Sequence, residues 1–395
     1  VTNPAHPLLR PAGQPARVAN VELFFDLVYV FAITQLSHHL LEHLTWLGVV
    51  QTATLWFAVW LGWQYTAWVS NWFNPEHLVI RTMLMVLMGL ALLVSAAIPE
   101  AFGERGLLFA CSFAAIQVGR TLFVLYSLGR RHLLTPNFLR ILCWLLVSAT
   151  LWIAGGLNEG STRLALWLLA VGCEYLSPMA GFPVPGLGRS QTSDWTIDGG
   201  HLAERCQLFV IIALGESVLA TGASFGHAAH PGTAVWVAFL VSFVGCVAMW
   251  WMYFDTSSGD AAHVIEHSKD PGRLGAYFHY VHVLLIAGVI VCAVADDLVV
   301  AHPLDPVKGA YAAVLVSGPM IYLLGNALFK RVVYGRLPLS HVIGIAALLA
   351  LWPWLPRVNL LAAGTLTTGV MVLVTVWAAY YRRRGDAVAH AHTAG

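Results

Sequence analysis

Glu22 and Asp26 stand four residues apart in RVANVELFFDLVYVFAITQLSHHL, and on a helix that spacing puts both carboxylates on one face. Two acids at the head of an apolar run could move a proton or hold a cationic partner. Glu22, the outer of the two, also reads as a solvated helix-end residue, whereas Asp26 lies one turn deeper. A second set occupies HLAERCQLFVIIALGESVLATG, from His201 to Gly222. At 100° per residue, His201, Arg205 and Glu216 fall within about 60° of one another. Glu216 lies about 18 Å along the axis from Glu204, near the middle of a spanning helix, with small Gly215 and Ser217 beside it. A carboxyl group at that depth is a candidate proton carrier. Glu22 and Asp26 would then serve as its inner gate or partner, with His201, Glu204 and Arg205 beside the substrate path.

Three further patterns carry chemistry. His279 and His282, at i and i+3, could bind a metal if a third ligand joined them, but the sequence offers none; they read as core or proton-pathway residues. No metal and no other cofactor is expected. Trp56, Trp60 and Trp63 draw one aromatic stripe along a helix, either for packing against lipid and helices or as a wall facing a cationic ligand. Arg120 and Glu174 fall at similar depths, about thirteen and eleven residues into their spans, which predicts an ion pair.

The elements that must position these residues are set by composition. The chain is 58% hydrophobic and 10% charged, where soluble domains carry about 25% charged residues. Mean hydropathy is +0.71. Apolar runs recur throughout, so the expected fold is an all-α, polytopic integral membrane helix bundle. Twelve spans are predicted, near 23–41, 47–67, 79–99, 107–128, 137–156, 163–182, 204–222, 233–253, 275–296, 307–329, 338–355 and 360–380. The first residues hold no apolar core of the kind a cleaved signal needs, so the first span is expected to direct insertion.

With the N-terminus inside, sixteen Lys and Arg fall in inner segments and four in outer ones, and Arg120 lies within a span. Both termini are therefore expected in the cytoplasm. Most of the sixteen tryptophans lie at span ends, as an interfacial belt requires. The polar loop 183–203 divides residues 1–182, with six spans, from residues 204–395, with six spans and a tail. Glu22 and Glu204 open corresponding spans, and the segments through spans three and nine share Pro75/Pro271 and Leu78/Leu274, with Glu100 opposite Asp296. This suggests a 6+6 parallel repeat of the kind some transporters contain.

The segments VELFFDLVYVFA and HLAER…LFVIIALGES, with WVSNWFNPEHLVIRTMLM and LLVSAAIPEAF, resemble the bacterial low temperature requirement protein A (LtrA) family from about Arg17 to the last span. The resemblance implies a multi-pass protein of the bacterial inner membrane. The family name records a growth phenotype, so chemistry must come from the residues.

Net charge is +1, and no basic cluster is interleaved with aromatics, so a nucleic-acid partner is not expected. The six cysteines are scattered, without CxxC spacing. No Walker A, GxSxG, HExxH or paired-acid DDxxD motif occurs, which removes the usual support for ATP-driven transport, serine hydrolysis and zinc proteolysis. Three functions are left. The first is a proton-linked transporter of a small or amphiphilic solute. The second is an intramembrane enzyme that uses a carboxylic acid in an aromatic pocket on a lipophilic, isoprenoid-like substrate. The third is a membrane scaffold, for which the buried charges have no purpose. The expected partners are the lipid bilayer, a small or lipophilic ligand and a second copy of the chain.

Overall fold

The computed structural model describes residues 7–11, 16–191, 197–227, 230–254, 264–265, 268 and 270–393, with side chains as far as 383 apart from that of 271. Among these residues the chain forms twelve long α-helices. They are α1 (Asn20–Glu42), α2 (Trp46–Trp72), α3 (Leu78–Ala97), α4 (Gly106–Leu128), α5 (Thr135–Gly156), α6 (Gly160–Met179), α7 (Gly199–Gly226), α8 (Thr233–Phe254), α9 (Pro271–Ala301), α10 (Gly309–Tyr334), α11 (Leu339–Leu351) and α12 (Leu360–Thr393). Short 3-10 turns extend α3 (Ile98–Glu100) and α11 (Trp352–Arg357).

Ten helical segments among the described residues are long and apolar enough to cross a membrane. The two helices outside that set are α2, rich in Trp, Thr and polar amides, and α6, which holds Arg163 and Glu174. Both turn polar side chains inward: Gln64, Thr66, Asn71, Arg163 and Glu174 are all buried. The outward side chains are apolar, as Leu27, Val86, Leu146, Leu219, Leu240 and Leu373 illustrate. An all-helical protein with this surface belongs in a bilayer, where only intrahelical hydrogen bonds satisfy the backbone.

Two compact units form. The first is Val1–Leu208 with Ile265–Gly275, and the second is Phe209–Val264 with Ala276–Gly395. The division runs through α7, whereas the sequence pattern points to the loop before it. The first turns of α7, with His201, Glu204 and Arg205, therefore belong to the first unit, and Glu216 belongs to the second.

Within the first unit α1 packs on α2 and α3, and α3 to α6 pack in succession. Thr45 caps α2 by accepting from the Gly48 amide, and Asp198 does the same for α7 through the His201 amide. Within the second unit α8 packs on α12, and α10 on α11 and α12. There α9 and α10 approach so closely that a Cβ on Gly288 would lie 2.5 Å from the Tyr322 backbone nitrogen, and one on Gly325 would lie 2.7 Å from that of Leu285. In lipid, where no hydrophobic effect drives helices together, such small-residue contacts hold a bundle by dispersion.

Gly288→Ala is therefore expected to force α9 from α10 at a cost of about 1–3 kcal/mol and to lower the detergent-solubilised Tm. Gly369→Ala, where a Cβ meets nothing within 4 Å, should leave Tm unchanged or raise it slightly.

Candidate functional site

The first unit gathers its charges where the start of α1 meets the start of α7. Glu22 is wholly buried, unlike the solvated end residue its position in sequence allowed. The N-terminal segment covers it. Arg10 and Asn74 amides donate to the Trp72 and Leu8 carbonyls, which fastens that segment along the end of α2. From there Arg10 Nε donates to the Ser70 carbonyl, and its Nη2 reaches Glu22 Oε2 at 3.2 Å. Burial draws the Arg10 guanidinium down from its ordinary value, and the negative charge of Glu22 opposes that shift.

The remaining valences of the two acids face α7 and α2. Glu22 Oε1 lies 2.9 Å from His201 Nε2 and 3.3 Å from Arg205 Nη1. Its Oε2 also accepts from the Ala19 amide at 2.8 Å, the reciprocal half of a capping box. Asp26 Oδ1 accepts from Arg205 Nη2 at 2.6 Å and from Trp63 Nε1 at 2.7 Å. The guanidinium of Arg205 also lies 5.7 Å from the Trp63 ring centroid. Asp26 Oδ2 and Arg205 Nε, both buried, have no hydrogen-bond partner among the described residues.

Asn71 fixes the tautomer of His201. Its Oδ1 accepts from the Asp198 amide and its Nδ2 donates to the Asp198 carbonyl, so the side-chain amide cannot be turned over. The same Nδ2 lies 3.2 Å from His201 Nδ1, which must then accept. With Nδ1 accepting, the ring proton belongs on Nε2 and is donated to Glu22, so Arg10 Nη2, which lies 3.1 Å from the same nitrogen, donates to Glu22 and not to the ring. With His201 neutral, Arg10 and Arg205 balance Glu22 and Asp26, the condition for holding four charges in an apolar interior.

The other sequence candidates lie elsewhere. Glu204 is exposed, and its Oε2 accepts from the Val18 amide at 3.3 Å. Glu216 is half-buried and belongs to the second unit. His279 and His282 are both buried. His282 Nδ1 donates to the Phe278 carbonyl at 2.7 Å, so Nε2 accepts from the Tyr253 hydroxyl at 2.8 Å, among the rings of Phe278 and Phe329. Among the described residues no three His, Cys, Asp or Glu side chains converge as metal ligands.

The tryptophan stripe turns inward. Trp60 and Trp63 are fully buried, with centroids 4.8 Å apart, and Trp60 Nε1 donates to Gln64 Oε1. One turn beyond Asp26, Tyr29 lines a cavity of about 10 Å³, room for a single water, and its buried hydroxyl has no hydrogen-bond partner among the described residues.

The expected ion pair between Arg120 and Glu174 does not form, because Gln117 stands between them. Arg120 Nη2 donates to Gln117 Oε1 at 2.6 Å, and Gln117 Nε2 donates to Glu174 Oε2 at 2.8 Å. Ser148 and Trp152 donate to Glu174 Oε1, while Arg120 also reaches Thr66 and lies over the Tyr65 ring. Similar depth along two helix axes does not fix the direction a side chain takes around either one.

Sequence reasoning missed Arg10, Asn71, Asp198 and Gln117. The first three are polar residues in or beside loops, and no local spacing reveals which helix end a loop will cover. Arg163 is buried, and it donates to the Ala101, Gly103 and Asn158 carbonyls, tying the α3–α4 turn to the start of α6.

Two stability outcomes follow. Arg205→Met should cost about 3–5 kcal/mol by stranding Glu22 and Asp26, and adding Asp26→Asn should recover part of that loss in thermal melts. Gln117→Leu should lower Tm as much as Arg120→Gln does, because it takes a hydrogen-bond partner from both buried charges; a direct ion pair would make Gln117 nearly neutral to replacement.

No solved structure matches the chain. A protein of Rhizobium meliloti (strain 1021), itself described as uncharacterized, is 39% identical over 379 residues, covering 95% of this chain and 92% of that one. The model of the bacterial low temperature requirement A protein (LtrA) family matches residues 17–394. With its polytopic helical fold and near-complete match, the chain belongs to the bacterial low temperature requirement A (LtrA) family of multi-pass membrane proteins.

Proposed function

We propose that the protein is a proton-linked transporter of a small or amphiphilic solute, and that the Glu22–Asp26–His201–Arg205 cluster is its inner gate. In this reading α2 and α6 cross the membrane with the other ten helices, and both termini are cytoplasmic, as the Lys and Arg asymmetry favours. The observation that carries the reading is a buried, charge-balanced cluster joining two helix ends, with one carboxylate oxygen, Asp26 Oδ2, left without a partner.

Apolar residues would hold α1 against α7 at least as firmly, so buried charge is better explained by switching than by stability. A proton delivered to Asp26 removes one negative charge and leaves Arg205 with Glu22 alone. The α1–α7 contact is then weaker by one ion pair, which is how a proton could open the inner end. Asp26 is a better carrier than Glu216, because Asp26 is fully buried on its basic partner and Glu216 is half-buried. Arg205 and His201 set the charge around it, and Tyr29 with its water-sized cavity offers the next polar step.

The second reading, an acid-catalysing enzyme of lipophilic substrates, draws on Trp63 donating to Asp26 beside buried Trp60. It needs a substrate-sized chamber, and the cavity beside Tyr29 is water-sized.

The test is solute-induced proton flux into proteoliposomes loaded with a pH-sensitive dye, screened over small and amphiphilic solutes. A solute that moves protons with the wild type should move none with Asp26→Asn, while Tm shows the variant folded. Equal flux from that variant would reject the gate. Conversion of an isoprenoid-like substrate without flux would favour the enzyme.

A further inference from the structure

The second unit holds a cavity of about 30 Å³, distinct from the charge cluster of the first, and its lining includes Ser242, Leu315, Pro319, Thr367 and Asp296. Asp296 and Asp297 are adjacent on α9 and differ in environment. Asp297 accepts from the Ser224 hydroxyl of α7, whereas Asp296 lines the cavity. The charged group acting on Asp296 is Asp297, of the same sign, and among the described residues no Lys or Arg forms an ion pair with it.

The lining supplies neutral oxygens around that carboxylate. Ser242 is 2% exposed and lines the same cavity, and its hydroxyl is directed at the Asp296 carboxylate, which leaves its oxygen lone pairs available. Thr367 spends its proton on the Ala363 and Gly364 carbonyls, so its oxygen lone pairs stay available. Pro319, inside α10, has no N–H to offer the carbonyl four residues back, which belongs to Leu315. A backbone carbonyl freed in this way, beside a carboxylate, is the kind of ligand membrane bundles use for small cations.

We propose that this cavity binds a monovalent cation of sodium size, held by the Asp296 carboxylate with Ser242, Thr367 and the Leu315 carbonyl as neutral ligands. One carboxylate lines the cavity, which matches one positive charge, and carboxylate, hydroxyl and carbonyl oxygens suit a hard cation. The cavity has room for a small ion or a water and not for a solute. The proposal stands independently of the transport reading, because it concerns binding.

Thermal unfolding of the purified full chain in detergent tests it, with sodium chloride titrated against choline chloride at constant ionic strength. Sodium should raise Tm saturably, by about 2–4 °C, and choline should not. Asp296→Asn should abolish the sodium response, and Asp305→Asn, an exposed loop carboxylate, should keep it. Ser242→Ala and Thr367→Val should each raise the sodium midpoint by about tenfold, which preserves the test if Asp296→Asn does not fold. Equal shifts in sodium and choline would overturn the proposal, as would a full sodium response in Asp296→Asn or unchanged midpoints in both hydroxyl variants.

Discussion

The first unit depends on one guanidinium. Arg205 leaves the first turns of α7 and meets Glu22 and Asp26 of α1, where water is excluded and neither acid could stay ionised alone. In such a place charge must sum to zero within a few ångströms, and every other polar group nearby is arranged to keep that sum. Arg10 supplies the second positive charge, and Asn71 keeps His201 from supplying a third. The N-terminal segment lies along the end of α2 because Arg10 has to reach Glu22.

The same rule explains the second polar network of that unit by a different solution. Arg120 and Glu174 are opposite charges that never touch; Gln117 presents its carbonyl to one and its amide to the other. A side-chain amide can do this because its two ends have opposite hydrogen-bonding character. Glu174 is further held by Ser148 and Trp152, so each charge meets a full set of dipoles. Such a network specifies how α4, α5 and α6 face one another, a role apolar packing alone performs poorly in lipid.

The second unit is organised by close contact more than by charge. Gly288, Gly318 and Gly325 let the backbones of α9 and α10 approach, and aromatic rings enclose His282. Against that background Asp296, with no ion-pair partner among the described residues, stands out as the first unit's balanced acids do not. A bundle that matches its charges so carefully in one unit gives an unmatched carboxylate a functional meaning.

Hydrophobic runs and their polar connectors determined the helices, because a bilayer leaves the backbone no alternative to helix. The predicted span near 204–222 lies inside α7, and that near 275–296 inside α9; both helices run further than their apolar cores because polar turns can continue a helix outside lipid. The i, i+4 spacing of Glu22 and Asp26, and of His201 and Arg205, was enough to put each pair on one face. What spacing along one helix cannot contain is which other helix that face meets. Tertiary structure alone brought α7 to α1, turned Trp60 and Trp63 inward and set Gln117 between Arg120 and Glu174. It also left Glu216 half-buried, outside the unit that holds the charge cluster. The physical reason is that helix formation is local, while the rotation of each helix about its axis is settled by side chains far apart in sequence.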